Sequence, residues 1–306
     1  MSNYPSLSSV LSKHEFNKLN SLNNFVAARD LILRFGVNIF LIYSLFVLST
    51  SSVIATLVIW CIYSTQFQFW GYAGLGHEAF HGRIFTSKKV NTALYIFCSA
   101  LTWNNTSMFR KTHSLHHRET FSVDDTEAKS VQSWGVLDIF LYLFVDFKGM
   151  FRRIYYTLVN SLGYYPNFTR LDASHRLSAQ TNLVVNVMIY SLVYVVTENL
   201  MMSFLLFIAP FSCSLVNRVL AKAQHHNLEK FSDEGALKYS RTLRLPSFLS
   251  FLYANMNYHA EHHFAPSIPY YRLPDFHNLL VEKGFIQSQS LMDFLHSTIK
   301  EIGVKQ

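Results

Sequence analysis

The chain has 306 residues, of which 50% are hydrophobic and only 15% are charged. Soluble proteins carry roughly 25% charged residues, so this composition argues against an ordinary soluble domain and favours a protein that faces lipid. The net charge of +7 would suit nucleic acid, but the basic residues form no recognisable reader motif, and we expect no nucleic-acid partner. The three cysteines are widely spaced, which fits neither a disulfide framework nor a thiolate metal site.

An N-terminal segment, residues 1–34, precedes the first long apolar run. It carries four basic residues and no short apolar stretch ending in a cleavage site, so we do not interpret it as a signal peptide. The next 43 residues, Phe35 to His77, contain no Asp, Glu, Lys or Arg. One crossing of a bilayer needs roughly 20 helical residues. The run therefore predicts a transmembrane hairpin over residues 35–76 that turns near Thr50, Ser51 and Ser52.

A second apolar run, from Leu177 to Asn217, has a single charged residue, Glu198, near its middle. It predicts another transmembrane hairpin over residues 177–217, with Glu198 at the turn. The intervening segment, residues 77–176, has only short apolar stretches such as 93–101 and 139–145. We expect these to form helices that rest in the plane of the membrane surface.

The basic residues give the predicted orientation, because all 26 Lys and Arg lie outside the two hairpins. Under the positive-inside rule, residues 1–34, 77–176 and 218–306 should then face the cytoplasm. We therefore predict one all-α integral membrane domain over residues 1–306. It has four transmembrane helices, arranged as two hairpins, and a cytoplasmic helical cap.

The 14 histidines are concentrated in that cap. Eight of them fall in three short motifs, which we call histidine boxes one, two and three: HEAFH (77–81), HSLHH (113–117) and HAEHH (259–263). Spacings of three and four residues place side chains on one face of a helix. On the predicted topology, all three boxes can converge at the cytoplasmic surface of the membrane.

Clustered imidazoles repel one another when protonated, so such a gathering should stay neutral and bind a cation. Imidazole suits zinc, copper, iron and nickel. Eight imidazoles exceed the needs of one tetrahedral zinc ion and suit two metal ions with open positions. HEAFH alone also has the HExxH pattern of zinc metalloproteases, which leaves a membrane zinc protease as an alternative. If the boxes hold two metals, Glu78 is either a residue that orients a ligand or a surface charge.

The boxes and their flanks, FRKTHSLHHRET with the following DDTE and NMNYHAEHHFAPSIPYYRLPDFH, resemble those of the membrane fatty acid desaturases, of bacterial type, and their hydroxylase and ketolase relatives. The resemblance covers roughly residues 37–277. It implies that the box histidines bind iron: His77, His81, His113, His116, His117, His259, His262 and His263.

A further ligand usually follows the second hairpin in the family, and NRVLAKAQHHN occupies that place here. We expect His225 to be this ligand, with His226 as its competitor. Gln224 stands where the bacterial pattern often has an acid, and Ala221 stands where relatives use an Asn. Both are departures from the family's pattern.

Five residues near the boxes have open interpretations. Asp124 and Asp125 either accept hydrogen bonds from ligand imidazoles or belong to an exposed helix cap. Asn104 and Asn105 are candidates to line the substrate path. Trp103 either lines it too or anchors the chain at the membrane interface.

The resemblance also implies the activity. Two iron ions would bind dioxygen, with electrons from a separate ferredoxin or b-type cytochrome, and would desaturate an apolar substrate taken from the membrane. A fatty acyl chain is the leading substrate. The alternative is a hydroxylase or ketolase acting on a carotenoid, a sphingolipid or a small amphiphile. The protein would be multi-pass in a bacterial inner membrane, or in the endoplasmic reticulum if eukaryotic.

Overall fold

The computed structural model describes residues 5–130, 136–165 and 173–304. This part of the chain is mostly helical, as predicted. Its α-helices are α1 (Leu7–Val10), α2 (Lys13–Leu19), α3 (Asn24–Ser49), α4 (Val53–Phe67), α5 (Leu75–His81), α6 (Lys88–Leu101), α7 (Thr106–Arg118), α8 (Thr126–Ser130), α9 (Val136–Leu143), α10 (Phe147–Ser161), α11 (Ala173–Thr197), α12 (Leu200–Ile208), α13 (Leu215–His225), α14 (Ala236–Tyr239), α15 (Ser247–Leu252), α16 (His259–Phe264), α17 (Leu273–Glu282) and α18 (Leu291–Val304).

The remaining regular elements are short. Four 3₁₀ turns occupy Gln68–Trp70, Ala209–Phe211, Glu229–Glu234 and Tyr270–Arg272. Two strands, β1 (Leu243–Arg244) and β2 (Gln289–Ser290), pair in parallel with Leu243 opposite Gln289. The purely α-helical prediction therefore missed one small sheet. Its two residues per strand are too few to give an alternating pattern in the sequence.

Helices α3 and α4 form the first predicted hairpin, and the turn lies where the sequence indicated. Helix α3 ends at Ser49, and the Ser52 side chain caps the start of α4 by accepting a hydrogen bond from the Ala55 amide. Large apolar side chains on both helices, such as Ile39 and Ile54, are more than half exposed. In water this exposure would be costly, whereas lipid solvates these side chains well.

The second apolar run also turns where predicted. Helix α11 ends at Thr197, Glu198 takes a left-handed conformation with φ 46°, and Asn199 caps α12. Helix α12 is shorter than predicted. Pro210 lies in the 3₁₀ turn after it, and Cys213 takes a left-handed conformation with φ 50°. The second hairpin is therefore asymmetric.

Among the described residues, three helical segments are long and apolar enough to cross a membrane: Lys13–Ser49, Val53–His81 and His175–Thr197. The fourth predicted crossing corresponds to the apolar helix Leu200–Phe211. At 1.5 Å per residue it spans only about 18 Å, against about 30 Å of hydrocarbon. The four-crossing topology thus stays a prediction.

The middle segment folds into helices that surround the boxes. The short apolar stretch 93–101 falls within α6, whereas 139–145 begins in α9 and extends two residues past its end at Leu143. Helix α6 packs against α5 and α11, and α11 also packs against α7 and α10. The chain enters α5 through a tight bend in which a Cβ atom on Gly74 would lie 2.4 Å from the Phe69 carbonyl oxygen. A glycine at this position permits the bend that delivers box one to the centre of the cap.

Candidate metal centre

The structure brings all nine histidines predicted to bind metal into two adjacent groups. Group A consists of His77, His81, His113, His117 and His262, and group B consists of His116, His225, His259 and His263. Within each group, the candidate ligand atoms lie within 4.8 Å of one another. Helices α5, α7, α13 and α16 supply these side chains, which are mostly buried.

Helical geometry explains how the boxes are divided between the groups. Each box has two histidines four residues apart, and each such pair enters the same group: boxes one and two give group A a pair each, and box three gives its pair to group B. Adjacent residues on a helix diverge by about 100°. The neighbours within box two, His116 and His117, therefore enter different groups, as do the box-three neighbours His262 and His263.

The spacing of the imidazole nitrogens in group A fits a metal ion. The Nε2 atom of His113 lies 3.2 Å from that of His81 and 3.0 Å from that of His117. His262 Nε2 closes the ring at 3.2 Å from His81 Nε2 and 3.3 Å from His117 Nε2. Two nitrogens that share one ion at about 2.1 Å and right angles are separated by about 3.0 Å.

Hydrogen bonds fix which ring nitrogen faces the group in several of these histidines. The Nδ1–H of His225 donates to the Tyr239 carbonyl oxygen at 3.1 Å. His116 Nδ1 lies 3.0 Å from Asp125 Oδ2, and His113 Nδ1 lies 2.9 Å from Glu127 Oε2. A neutral imidazole that donates through Nδ1 has only a lone pair at Nε2. The inward-facing atoms are then acceptors without protons, which suits a bound cation.

Burial favours the neutral form of the imidazoles of His117 and His225. Burial above all, together with the neighbouring imidazoles, lowers the pKa of His117 to about 2 and that of His225 to about 3. A metal binds the deprotonated ring, so the neutral form is the one required. In group A, the Nε2 atom of His77 is buried and has no hydrogen-bond partner. This nitrogen can offer its lone pair to a metal ion. The residues of both groups therefore fit metal ions.

Asp125 gives a direct test of the hydrogen bonds around group B. We expect Asp125→Asn to weaken metal binding in group B by about 10- to 100-fold, because carboxylates that orient ligand imidazoles have effects of this size. Asp124→Asn is the matched control, since Asp124 is exposed. Metal content should be measured against a graded series of chelator concentrations. Equal behaviour of the two variants would contradict the orienting role.

A cavity of about 590 Å³ is lined by histidines of both groups. Two group A histidines, His77 and His113, line it together with His116, His225 and His259 of group B. Asn104 and Asn105 line it as well, in line with their predicted position. Trp103 is instead buried against Tyr190 and Phe207, so it is not an exposed interfacial anchor.

Four further residues that the sequence singled out lie near the histidine groups, namely His226, Gln224, Ala221 and Glu78. His226 lies outside both groups, with its ring 6.0 Å from that of Phe294. The Gln224 amide donates to the Tyr253 hydroxyl at 2.9 Å, and both Gln224 and Ala221 line the cavity. Glu78 is buried, and its Oε1 lies 3.3 Å from Nδ1 of both His77 and His262. It is therefore not a surface charge.

Sequence reasoning missed two buried contacts next to the histidines. Glu127 accepts hydrogen bonds from His113 and from the Thr112 hydroxyl, and its position in DDTE beside the two aspartates was an available signal. Glu261, inside box three, accepts from His277 Nδ1 at 2.5 Å and from the Thr242 hydroxyl at 2.5 Å. His277 lies 14 residues after box three, and no spacing rule indicates that pairing.

The fold and these histidines define a class of protein: a helical membrane protein with a histidine-rich candidate metal centre. The profile of the fatty acid desaturase family matches residues 50–289. This match covers most of the chain, and the chain therefore belongs to the fatty acid desaturase family. The resemblance to the fatty acid desaturases inferred from the histidine boxes is confirmed, and their bacterial type stays a prediction. Among curated proteins, none matches the chain significantly.

Proposed function

We propose that this protein is a dioxygen-dependent di-iron desaturase that introduces a double bond into a fatty acyl chain or a similar apolar substrate. The observation that carries the proposal is the cavity, because it touches imidazoles of both histidine groups. A substrate held there lies beside both candidate metal sites. Family membership supports an oxidoreductase that works at a membrane.

We assign one iron ion to group A and one to group B. When bound, the two ions supply the oxidant that an unactivated methylene pair requires. The overall balance is R–CH₂–CH₂–R′ + O₂ + 2 electrons + 2 H⁺ giving R–CH=CH–R′ + 2 H₂O. The electrons come from a separate ferredoxin or b-type cytochrome, which the excess of basic residues would attract if its surface is acidic.

The protein's own residues prepare the site. Asp125, Glu127 and the Tyr239 carbonyl hold three imidazoles with their Nε2 lone pairs directed inward. Glu78 lies against Nδ1 of a box-one and a box-three histidine, which ties those boxes together. Nine positioned imidazoles thus need little rearrangement to bind metal.

The zinc protease interpretation of HEAFH finds less support. A protease glutamate must reach a metal-bound water and the substrate, but Glu78 is not among the residues that line the cavity. Three imidazoles beyond the HExxH pair also join group A. A hydroxylase or ketolase acting on a carotenoid, a sphingolipid or a small amphiphile remains the alternative, because the same ligands serve both outcomes.

The proposal includes the orientation of the chain. Both hairpins enter the bilayer and the histidine groups face the cytoplasm, in a bacterial inner membrane or the endoplasmic reticulum of a eukaryote. The basic residues outside the hairpins support this orientation. On this topology α12 crosses as a short helix, which requires local thinning of the bilayer or flanking polar residues that reach the interface.

The test is to feed an expressing strain a perdeuterated saturated fatty acid and to analyse its lipids by mass spectrometry. Desaturation should give a product that lacks two deuterons and has gained no oxygen. The product should depend on dioxygen. A product that lacks one deuteron and has gained one oxygen would establish a hydroxylase instead, and an unchanged acyl pool would show that the substrate is not a fatty acyl chain.

A further inference from the structure

Three arginines line the cavity that reaches the histidine groups. Arg152 and Arg153 come from α10, and Arg218 comes from α13. The cavity is therefore not a purely apolar tunnel. Because the arginines and five of the histidines line the same space, one bound molecule can contact both.

Arg153 has unused hydrogen-bonding capacity. Its Nη1 donates to the Thr102 carbonyl oxygen at 3.2 Å and to the Pro210 carbonyl oxygen at 3.5 Å, and its guanidinium lies 5.5 Å from the centre of the Phe211 ring. Within the described residues, all of its hydrogen bonds come from Nη1. Neither its Nε nor its Nη2 makes one of these hydrogen bonds. This edge of a guanidinium is suited to a two-point contact with a carboxylate or phosphate.

Among the charged residues that line the cavity, the three arginines outnumber the one carboxylate, Glu127. Asp146 pairs with Arg218 at 3.3 Å, while its other carboxylate oxygen caps α10 by accepting from the Gly149 amide at 2.7 Å. Among the described residues, no carboxylate forms an ion pair with Arg152 or Arg153. Burial above all, together with the nearby charge of Arg218, lowers the pKa of Arg153 to about 10, and Asp146 offsets only part of this effect. A buried cation in these surroundings is stabilised by an anion.

We infer that Arg152, Arg153 and Arg218 bind the anionic head group of the substrate, a carboxylate or a phosphate, and so direct its apolar part toward the histidine groups. The inference rests on the proposed function and narrows it. The substrate is an anionic amphiphile and not a neutral hydrocarbon such as a carotenoid. The arginines contribute specificity and orientation, because charge complementarity across a binding site discriminates strongly between ligands.

The first experiment measures binding without turnover. Iron-loaded, full-length protein in a neutral detergent is titrated with palmitic acid, hexadecyl phosphate and palmitoyl-coenzyme A, and with hexadecanol as the neutral comparator. We expect at least one anionic ligand to bind about tenfold or more tightly than hexadecanol, and the difference to shrink at high salt. The tightest of the three anions identifies the source of the head group. Equal binding of hexadecanol and all three anions would overturn the inference.

Variants locate the anion. Arg153→Gln should weaken binding of the preferred anion by about tenfold or more without changing the binding of hexadecanol. Because Arg153 also supports two backbone carbonyls, its variant is at risk of misfolding. Arg152→Gln removes a charge from a side chain that is exposed. This variant should also weaken binding of the anion. Lys148→Gln is the control on the same helix, since Lys148 is 76% exposed.

The outcomes separate this inference from the proposed function. Arginine-dependent anion binding without any desaturated product would leave the inference standing and remove the function. Desaturation of neutral lipids at unchanged rates in the Arg152→Gln and Arg153→Gln proteins would support the proposed function and overturn the inference. Loss of anion binding in Lys148→Gln to the same extent as in Arg152→Gln would also overturn the inference, because it would show a general surface effect.

Discussion

Replacing His113 by alanine should reduce formation of the desaturated product by more than about 100-fold. Changing a residue that merely orients a ligand costs about 10- to 100-fold, and loss of the ligand itself should cost more. His113 is central to group A, since its Nε2 faces those of both His81 and His117. The measurement is the yield of doubly dedeuterated product from perdeuterated fatty acid, normalised to the amount of protein in the membrane.

The matched control for His113→Ala is His14→Ala, because His14 is exposed on α2 and belongs to neither histidine group. This variant should keep full activity. Helical content of the purified His113→Ala protein should be compared with that of the parent, since the His113 ring also stacks on Phe109 at 4.5 Å. Activity of His113→Ala within tenfold of the parent would rule out group A as a metal site that turnover requires.

Metal analysis should give about two irons per chain and little zinc. Groups A and B offer five and four imidazoles, which exceeds the needs of a single tetrahedral zinc site. His259→Ala removes a group B ligand and should reduce the content to about one iron. The protein is expressed with iron supplied, purified without chelator, and analysed by mass spectrometry of its metals.

The pattern of metal loss among variants distinguishes two iron sites from one zinc site. If two sites exist, variants in group A and group B should each retain about one iron. One zinc per chain, lost in His77→Ala or His81→Ala but kept in His259→Ala, would instead support the HExxH protease. Iron that is fully retained in every histidine variant would show that the metal binds elsewhere.

The long apolar helices could be predicted because lipid exposure determines their composition. Helix α4 and most of α3 and α11 lie in the predicted apolar runs, although α3 begins at Asn24, eleven residues before the first run. The length of α12 could not be obtained in the same way, since a run of apolar residues does not reveal where its helix stops. Helix α12 ends at Ile208, just before the 3₁₀ turn that contains Pro210, and Pro210 was the visible signal in the sequence.

The sequence indicated which histidines lie in the candidate site, but it did not indicate how they divide between groups A and B. Helical spacing placed each pair of histidines four residues apart on one face, and the structure agrees. The group that His116 or His262 joins depends on how α7 and α16 face each other, which no local pattern encodes. The three arginines that line the cavity were missed for the same reason, because Arg153 and Arg218 are 65 positions apart in the sequence and come together only in the folded chain.

Because neighbouring histidines of box two belong to different groups, the metal centre depends on the number of residues between the histidines of α7. Deleting or inserting one residue between His113 and His116 would rotate the following turn by about 100°. After an insertion, His116 would stand four residues from His113 and occupy the place of His117 in group A, so group B would lose its box-two ligand. After a deletion, His117 would stand three residues from His113 and occupy the place of His116 in group B, so group A would lose a ligand. The helical phase of box two is therefore the property that insertions and deletions disturb most, and variation in length should be tolerated in loops well before it is tolerated here.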